Sequence, residues 1–390
     1  EIMPSLVGSE MCIRDRNIMN VLIINPILFT ADNDIIPKVK SIKDSMIYNF
    51  ALGFKQNGHQ VTLYAAEDYK PTDIETFDFN VIFGKTSLKK IFKPSVLPYL
   101  SYLNKYLRLH QNEFDLVISS EVFSFQSLFA SLVCPQKTII WHELALHQRR
   151  FFKIPSKLWY LLIAHFIQKK SLVIPRSEKA FYFVSQYMDN VSNIIVEHGI
   201  NIECFTPKSR KLKQFIIVAQ LIKRKNISSI IKKFKAFSEK YEKGYSLIIV
   251  GQGELEKDLI DLIKRKGLEE SVHLLGFKNH LELKTLLADS CAMLINTYQD
   301  NNMVSIPESI SCGTPVITNT IPTNSTYIGE NHLGITKDEW NEDELKKVVD
   351  ENQYYVNNCI KFRKKLSNRY SAEKMVDIFW EQQEKKSIKL

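Results

Sequence analysis

The sequence predicts an α/β fold of two Rossmann-like, doubly wound domains facing each other across a cleft. Three observations carry this expectation. Short apolar runs alternate with longer amphipathic ones from Met19 onward, the pattern of βαβ units around a parallel sheet. The alternation then restarts after a polar, basic stretch, Lys208–Gln214. A chain of 390 residues is also longer than one ordinary core accommodates.

The first series of expected strands is Asn20–Asn25, Gln60–Ala65, Asn80–Phe83, Leu116–Ser119, Thr138–Trp141, Leu172–Ile174 and Ile194–Glu197. "VLII" and "TIIW" are near-continuous apolar runs, as strands buried on both faces require. Helical patterns fall between them, over Lys38–Gln56 and Lys157–Lys169. The second series reads Phe215–Ala219, Ser246–Val250, Val272–Leu275, Ala292–Asn296 and Val316–Thr318, with helices over Ile227–Lys240, Leu255–Lys266 and His280–Ala288. A last amphipathic helix, Ser371–Gln383, follows the second series and is expected to pack back on the first domain. The expected division is therefore 19–207, 208–370 and 371–390. Residues 1–16 read as an artefactual leader before a native start at Met19.

Composition narrows the function classes. With 45% hydrophobic and 24% charged residues the chain is an ordinary globular one, and no run approaches the roughly 18–20 apolar residues of a membrane span. None of the six cysteines stands in a C-x-x-C pair or beside a His at ligand spacing, so no metal site is expected. The net charge of +9 is uneven. Residues 85–108 hold six basic residues and no acid; residues 149–179 hold eight, against Glu178 alone. Both stretches are rich in apolar residues. They read either as basic amphipathic surfaces for an anionic membrane or as solvated faces of core helices. No nucleic-acid motif accompanies them.

The stretch "DNNMVSIPESISCGTPVI", Asp300–Ile317, holds two carboxylates around a helix start. Pro307 suits a first helical position, capped by Ser305 or Ile306, and Gly313 with Pro315 ends the helix. Backbone amides near Met303, Val304 and Ser305 are then candidates for an anion, with Glu308 in the first turn and Asp300 across the loop. Two acids flanking an anion site suit a nucleotide sugar. The bland alternative is that Glu308 favours the helix start and Asp300 caps a turn. Lys223, Arg224 and Lys225 follow the first strand of the second series, where cations meet a diphosphate or are simply solvated. Gly251 and Gly253 follow the next strand, but G-x-G-x-x-G is not completed.

Together these blocks resemble the retaining family-4 glycosyltransferases of the GT-B fold, the "glycosyl transferases group 1" type. The pattern of an acid, seven residues, then Glu before "CGTPVI" is met by Asp300 and Glu308. "VAQLIKRKN", "GQGELEKDL", "VHLLGF" and "EHGINIECFTP" match further blocks in order. The resemblance implies that Glu308 binds the ribose, that Asp300 holds donor-sugar hydroxyls, and that Lys225 neutralises the diphosphate. Gln220, Gly251, Asn302 and the backbone at Met303 and Val304 would complete the donor site, with Phe277 by the base. His142, in "IIWHE", would touch the donor sugar, so the expected catalytic set is His142, Asp300 and Lys225. No cofactor or metal is implied beyond the nucleotide diphosphate sugar itself. Three departures stand out: Gln220 replaces the usual Arg, Asp300 the usual Glu, and "PILFTADNDIIPKVK" the usual Gly-rich turn.

The expected activity is retaining transfer to a saccharide or lipid-linked saccharide hydroxyl in polysaccharide or glycolipid biosynthesis. The expected place is the cytoplasm or the inner membrane face. The alternatives are an inert sugar-nucleotide-binding subunit and a nucleotide-sugar epimerase of the same fold.

Overall fold

A computed structural model describes residues 18–388 apart from 32, 33, 149 and 301. The expected leader, and Arg149 at the head of the second basic stretch, therefore lie outside the described residues. The first sheet begins with β1 (Asn20–Ile24), β2 (Gln60–Ala66) and β3 (Asn80–Gly84). A short antiparallel pair, β4 (Thr86–Ser87) and β5 (Tyr99–Leu100), stands apart from it. The sheet continues with β6 (Leu116–Ser120), β7 (Thr138–His142) and β8 (Leu172–Pro175), in the order β3-β2-β1-β6-β7-β8. The second sheet comprises β9 (Gln214–Val218), β10 (Ser246–Val250), β11 (Val272–Gly276), β12 (Ala292–Leu294), β13 (Val316–Thr318) and β14 (Gly334–Thr336). Its order, β11-β10-β9-β12-β13-β14, repeats that of the first.

Every pairing within the two six-stranded sheets is parallel. Strands buried on both faces explain their composition: β1 and β10 each have four of five residues Val, Ile or Leu, and β7 has Ile-Ile-Trp at its centre. In each sheet the strand order reverses once, between β1 and β6 and between β9 and β12. Ligands in such sheets lodge beyond the carboxyl ends of the strands at that reversal.

Local chemistry sets the helices. Ser45 accepts a hydrogen bond from the Tyr48 amide at the start of the Met46–Gln56 helix. The Glu256–Lys266 helix has acids in its first turn and three cations in its last, complementing its dipole. The final helix, Asn368–Ile388, returns to the first domain as expected and buries Ala372, Met375, Val376 and Phe379 in that domain's core. The Asn368 side-chain amide donates to the Asn49 carbonyl at 2.8 Å, and that of Gln383 to the Gln136 carbonyl at 2.7 Å.

The two chain crossings between the sheets are joined to each other. The Ile200 amide donates to Leu366 O, and the Asn368 amide to Ile200 O, both at 2.9 Å. Gly199 is required here. Its φ is +65°, and a Cβ would stand 2.6 Å from the Ser367 carbonyl oxygen.

Several expectations need correction. Ile194–Glu197 is not a strand: the Trp141 indole takes the Val196 carbonyl at 2.7 Å, and only the Val196 amide reaches β8. The helix expected from Lys38 begins at Met46, because Val39 and Ile42 are held by Thr72 and Glu75. The helix expected over Lys157–Lys169 starts at Ile154 and passes into π geometry over Trp159–Ala164. The polar stretch before β9 is pinned to helix ends of the second domain, with Lys211 donating to Ala288 O, Cys312 O and Thr314 Oγ1. The short strand β14 and the helices Glu342–Asp350 and Asn352–Phe362 were not anticipated.

Candidate functional site

The carboxyl edge of the second sheet gathers the charges. Beyond β9 the chain makes a 3-10 turn, Lys223–Lys225, and Asn226 takes left-handed backbone at φ +48° to start the next helix. Beyond β12 comes the loop that carries Asp300. These two strands flank the reversal, so the side chains meet there. Asp300 forms ion pairs with Lys225 and, at 3.1 Å, with Arg224. Lys225 and Asp300 are mostly buried, Arg224 less so. The Arg224 guanidinium also donates to the Gln299 carbonyl at 2.9 Å. Asp300, expected on the donor sugar, and Lys225, expected on the diphosphate, are therefore joined to each other.

The helix after this loop runs Ser305–Ser311, so Pro307 is its third residue rather than its first. No side chain caps it. Its C-terminus closes as a Schellman turn: the Gly313 amide donates to Ile310 O and the Thr314 amide to Ser309 O, with Gly313 at φ +72°. The Met303 amide, one of three expected to bind an anion, is already taken by Asn324 Oδ1. Met303 is buried, whereas Val304 is exposed.

Glu308 lines a pocket of about 440 Å³ between the domains. Tyr48 and Asn49 come from the first domain, His198 from the crossing, and Lys284 and Val304 from the second. Burial pushes the Glu308 carboxyl up to about 7, opposed by Lys284. Asn302 bridges the domains, its side-chain amide 3.4 Å from the Arg176 carbonyl. Phe277, after β11, is 73% exposed, a free aromatic face. Gln220 is exposed beside the Lys225 turn. Gly251, at φ +142°, lets β10's end pass β9's: a Cβ would sit 1.9 Å from Ala219 O.

The first sheet's reversal holds a second, smaller pocket of about 210 Å³, lined by Asn25, Phe29, Glu121, Gln126, Glu143 and Arg176. Glu121 sits just past β6 in left-handed backbone, φ +63°. Its carboxylate accepts from the Glu143 and Leu144 amides and meets His142 Nδ1 at 2.8 Å. Burial works against that carboxylate, but His142, Arg176 and the Glu143 amide outweigh it and hold its carboxyl below the usual range. Arg176 stacks 4.1 Å over the Trp141 ring and pairs with Glu143 at 2.9 Å.

The position of His142 departs from its expected contact with a donor sugar. The imidazole is fully buried among Tyr160 and Phe183 and supports Glu121. Glu121 and Arg176 were missed by sequence reasoning. The signal was available: each is a charged residue standing directly after a buried strand, in "ISSE" and "VIPR".

Two parallel, doubly wound domains with their reversals facing one cleft define the GT-B fold. Solved structures agree with it. Anabaena HepE in complex with UDP aligns with TM-score 0.63 at 12% identity, covering 93% of this chain and all of that one. WaaG, titled a glycosyltransferase involved in lipopolysaccharide biosynthesis, aligns with TM-score 0.58 at 15% identity over 92% of this chain and 99% of that one.

Residues 203–371 match the model of the family described as "Glycosyl transferases group 1". An uncharacterized glycosyltransferase of Methanocaldococcus jannaschii is 33% identical over 103 residues, 26% of this chain and 25% of that protein. The O-antigen chain mannosyltransferase RfbU of Salmonella typhimurium is 22% identical over 203 residues, 50% of this chain and 57% of RfbU. The chain thus spans between a quarter and somewhat over half of these relatives' lengths.

Proposed function

We propose that the protein transfers a glycosyl unit from a nucleotide diphosphate sugar to a saccharide or lipid-linked saccharide hydroxyl, with retention at the anomeric carbon. The observation that carries this reading is the meeting of Lys225, Arg224 and Asp300 at the second sheet's reversal. An arriving diphosphate competes with Asp300 for the two cations. Lys225 and Arg224 then stabilise the charge that develops on the departing diphosphate. Asp300, released from them, is free to accept hydrogen bonds from sugar hydroxyls. Glu308 accepts from the ribose, and Phe277 stacks on the base. The cations supply the positive charge, so the reading calls on no metal ion.

The acceptor is assigned to the pocket of Glu121, Gln126 and Arg176, whose polar groups suit hydroxyls. HepE, of similar fold, was solved with UDP and with UDP-glucose, which supports a nucleoside diphosphate donor. RfbU acts on O-antigen chains, which supports a role in polysaccharide biosynthesis.

The test incubates the purified protein with a panel of nucleotide sugars and follows thermal shift and nucleoside diphosphate release. A shift with release is expected for one donor. Asp300→Ala and Lys225→Ala are each expected to lower release by roughly 100-fold or more. Unchanged turnover in either variant rejects its assigned role. A shift without release in the wild type, with acceptors of both kinds present, favours an inert binding subunit.

A further inference from the structure

We infer that one exposed face of the Ile154–Phe166 segment docks on an anionic lipid surface. The segment has two apolar faces, and the fold uses only one. Ser156, Trp159, Tyr160 and Ala164 are buried against the first domain. Phe125 and Phe123 meet the Trp159 ring edge-on, and the Trp159 indole donates to the Val122 carbonyl at 2.9 Å, so that face is fixed. The other face carries Ile154, Leu158, Leu161, Leu162 and Phe166, each more than half exposed. Phe152, just before, is 91% exposed on left-handed backbone. An apolar residue alone on a surface needs no explanation; a row of them along one helix marks a surface that meets a partner.

The charges around the row identify the partner. Lys153, Lys157, Lys169 and Lys170 are exposed beside it, and residues 150–177 contain no Asp or Glu. Among the described residues, none of these four lysines has an ion-pair partner. Long lysine stems can lie along the apolar row while their ammonium groups reach outward. Apolar side chains ringed by unpaired lysines match acyl chains below anionic headgroups. They do not match a second copy of the same face, because a two-fold contact would set lysines against lysines.

The other basic stretch, 85–108, is a weaker candidate. Lys89 pairs with Asp68 and Glu67, and Lys93 with Asp34, so acids of its own domain already offset part of its charge. No helix among the described residues is long and apolar enough to cross a membrane, so the contact is peripheral.

The experiment is co-sedimentation with vesicles of phosphatidylcholine alone and of phosphatidylcholine with phosphatidylglycerol. The wild type is expected to pellet with the anionic vesicles and to leave them as salt is raised. The double variant Leu161→Glu with Leu162→Glu is expected to lose roughly tenfold or more in partitioning. Leu109→Glu, at a comparably exposed leucine outside the row, is expected to partition as the wild type does. Matching thermal midpoints for the three proteins exclude unfolding as the cause. Indifference of the wild type to phosphatidylglycerol overturns the inference, as does a double variant that still binds. So does a concentration-dependent dimer, seen by sedimentation velocity, that the double variant abolishes. Vesicle binding needs no sugar nucleotide, so its failure leaves the proposed transfer intact, and the reverse.

Discussion

Glu308 links protonation to stability and, in the function proposed above, to donor binding. Its carboxyl is held near 7 by burial, above the ordinary value of 4.5. The folded protein therefore binds this proton more tightly than the unfolded chain does. The sign follows: the contribution is full below the unfolded value and is lost as pH rises through the folded one. The loss is at most about 3 kcal/mol for a fully enclosed group, and less here because Glu308 is partly open to solvent. Glu197, also raised to about 7 by burial, adds a second share of the same sign. Glu308→Gln is thus expected to flatten part of the fall in thermal midpoint between pH 5 and 8, and Glu197→Gln the other part. Binding runs the opposite way. Hydroxyls donate to a carboxylate, so donor affinity measured by titration calorimetry is expected to rise through pH 7 in the wild type. In Glu308→Gln that rise is expected to vanish. A variant that keeps the full rise would place the ionising group elsewhere.

Elements meet closely at a few backbone positions, and these set the site's geometry. Gly251 lets the end of β10 cross against Ala219 of the strand end that leads to Lys225. Gly251→Ala combines a steric clash with strained backbone and is expected to cost several kcal/mol, on the order of 3 or more. Gly267 is also left-handed, at φ +63°, but nothing lies within 4 Å of an added Cβ. Gly267→Ala is expected to cost only about 1 kcal/mol. Thermal denaturation of the two variants compares them directly; equal losses would show that close approach at Gly251 matters little. The short Ser305–Ser311 helix is set in the same way. Its Schellman turn and buried Ile306 and Ile310 fix its axis, and this brings Glu308 into the interdomain pocket.

At the scale of the whole molecule, the last helix fastens the second domain to the first. It leaves the second domain, crosses beside Gly199–Ile200, and fills the first domain's core with Met375, Val376 and Phe379. Met375→Ala opens a cavity at a fully buried position and is expected to cost about 2–5 kcal/mol. Hydrogen exchange is expected to show the loss mainly in the first sheet, although the substitution lies more than 250 residues from β1–β3 in the chain. Loss of protection confined to residues 203–366 would contradict that placement.

Much of the architecture was legible in the sequence because buried parallel strands must be apolar on both faces, and such runs stand out. The edges were less so. β14 is Gly334–Thr336, with Ile335 its one large apolar residue and so no apolar run to mark it, and Ile194–Glu197 looked like a strand because Val196 is buried for another reason, as the acceptor of Trp141. For the candidate site, spacing pointed to Asp300, Glu308 and the run Lys223–Lys225, because loops that follow strands deliver side chains to one edge of a sheet; the family resemblance chose Lys225 from that run. Spacing cannot say which of those side chains touch. The tertiary structure decided that Asp300 closes on Lys225 and Arg224, that Met303's amide belongs to Asn324, and that His142 props Glu121 from inside the core. The physical reason is that periodicity is a property of neighbours in the chain. Pairing and burial depend on distances between segments that only packing brings together.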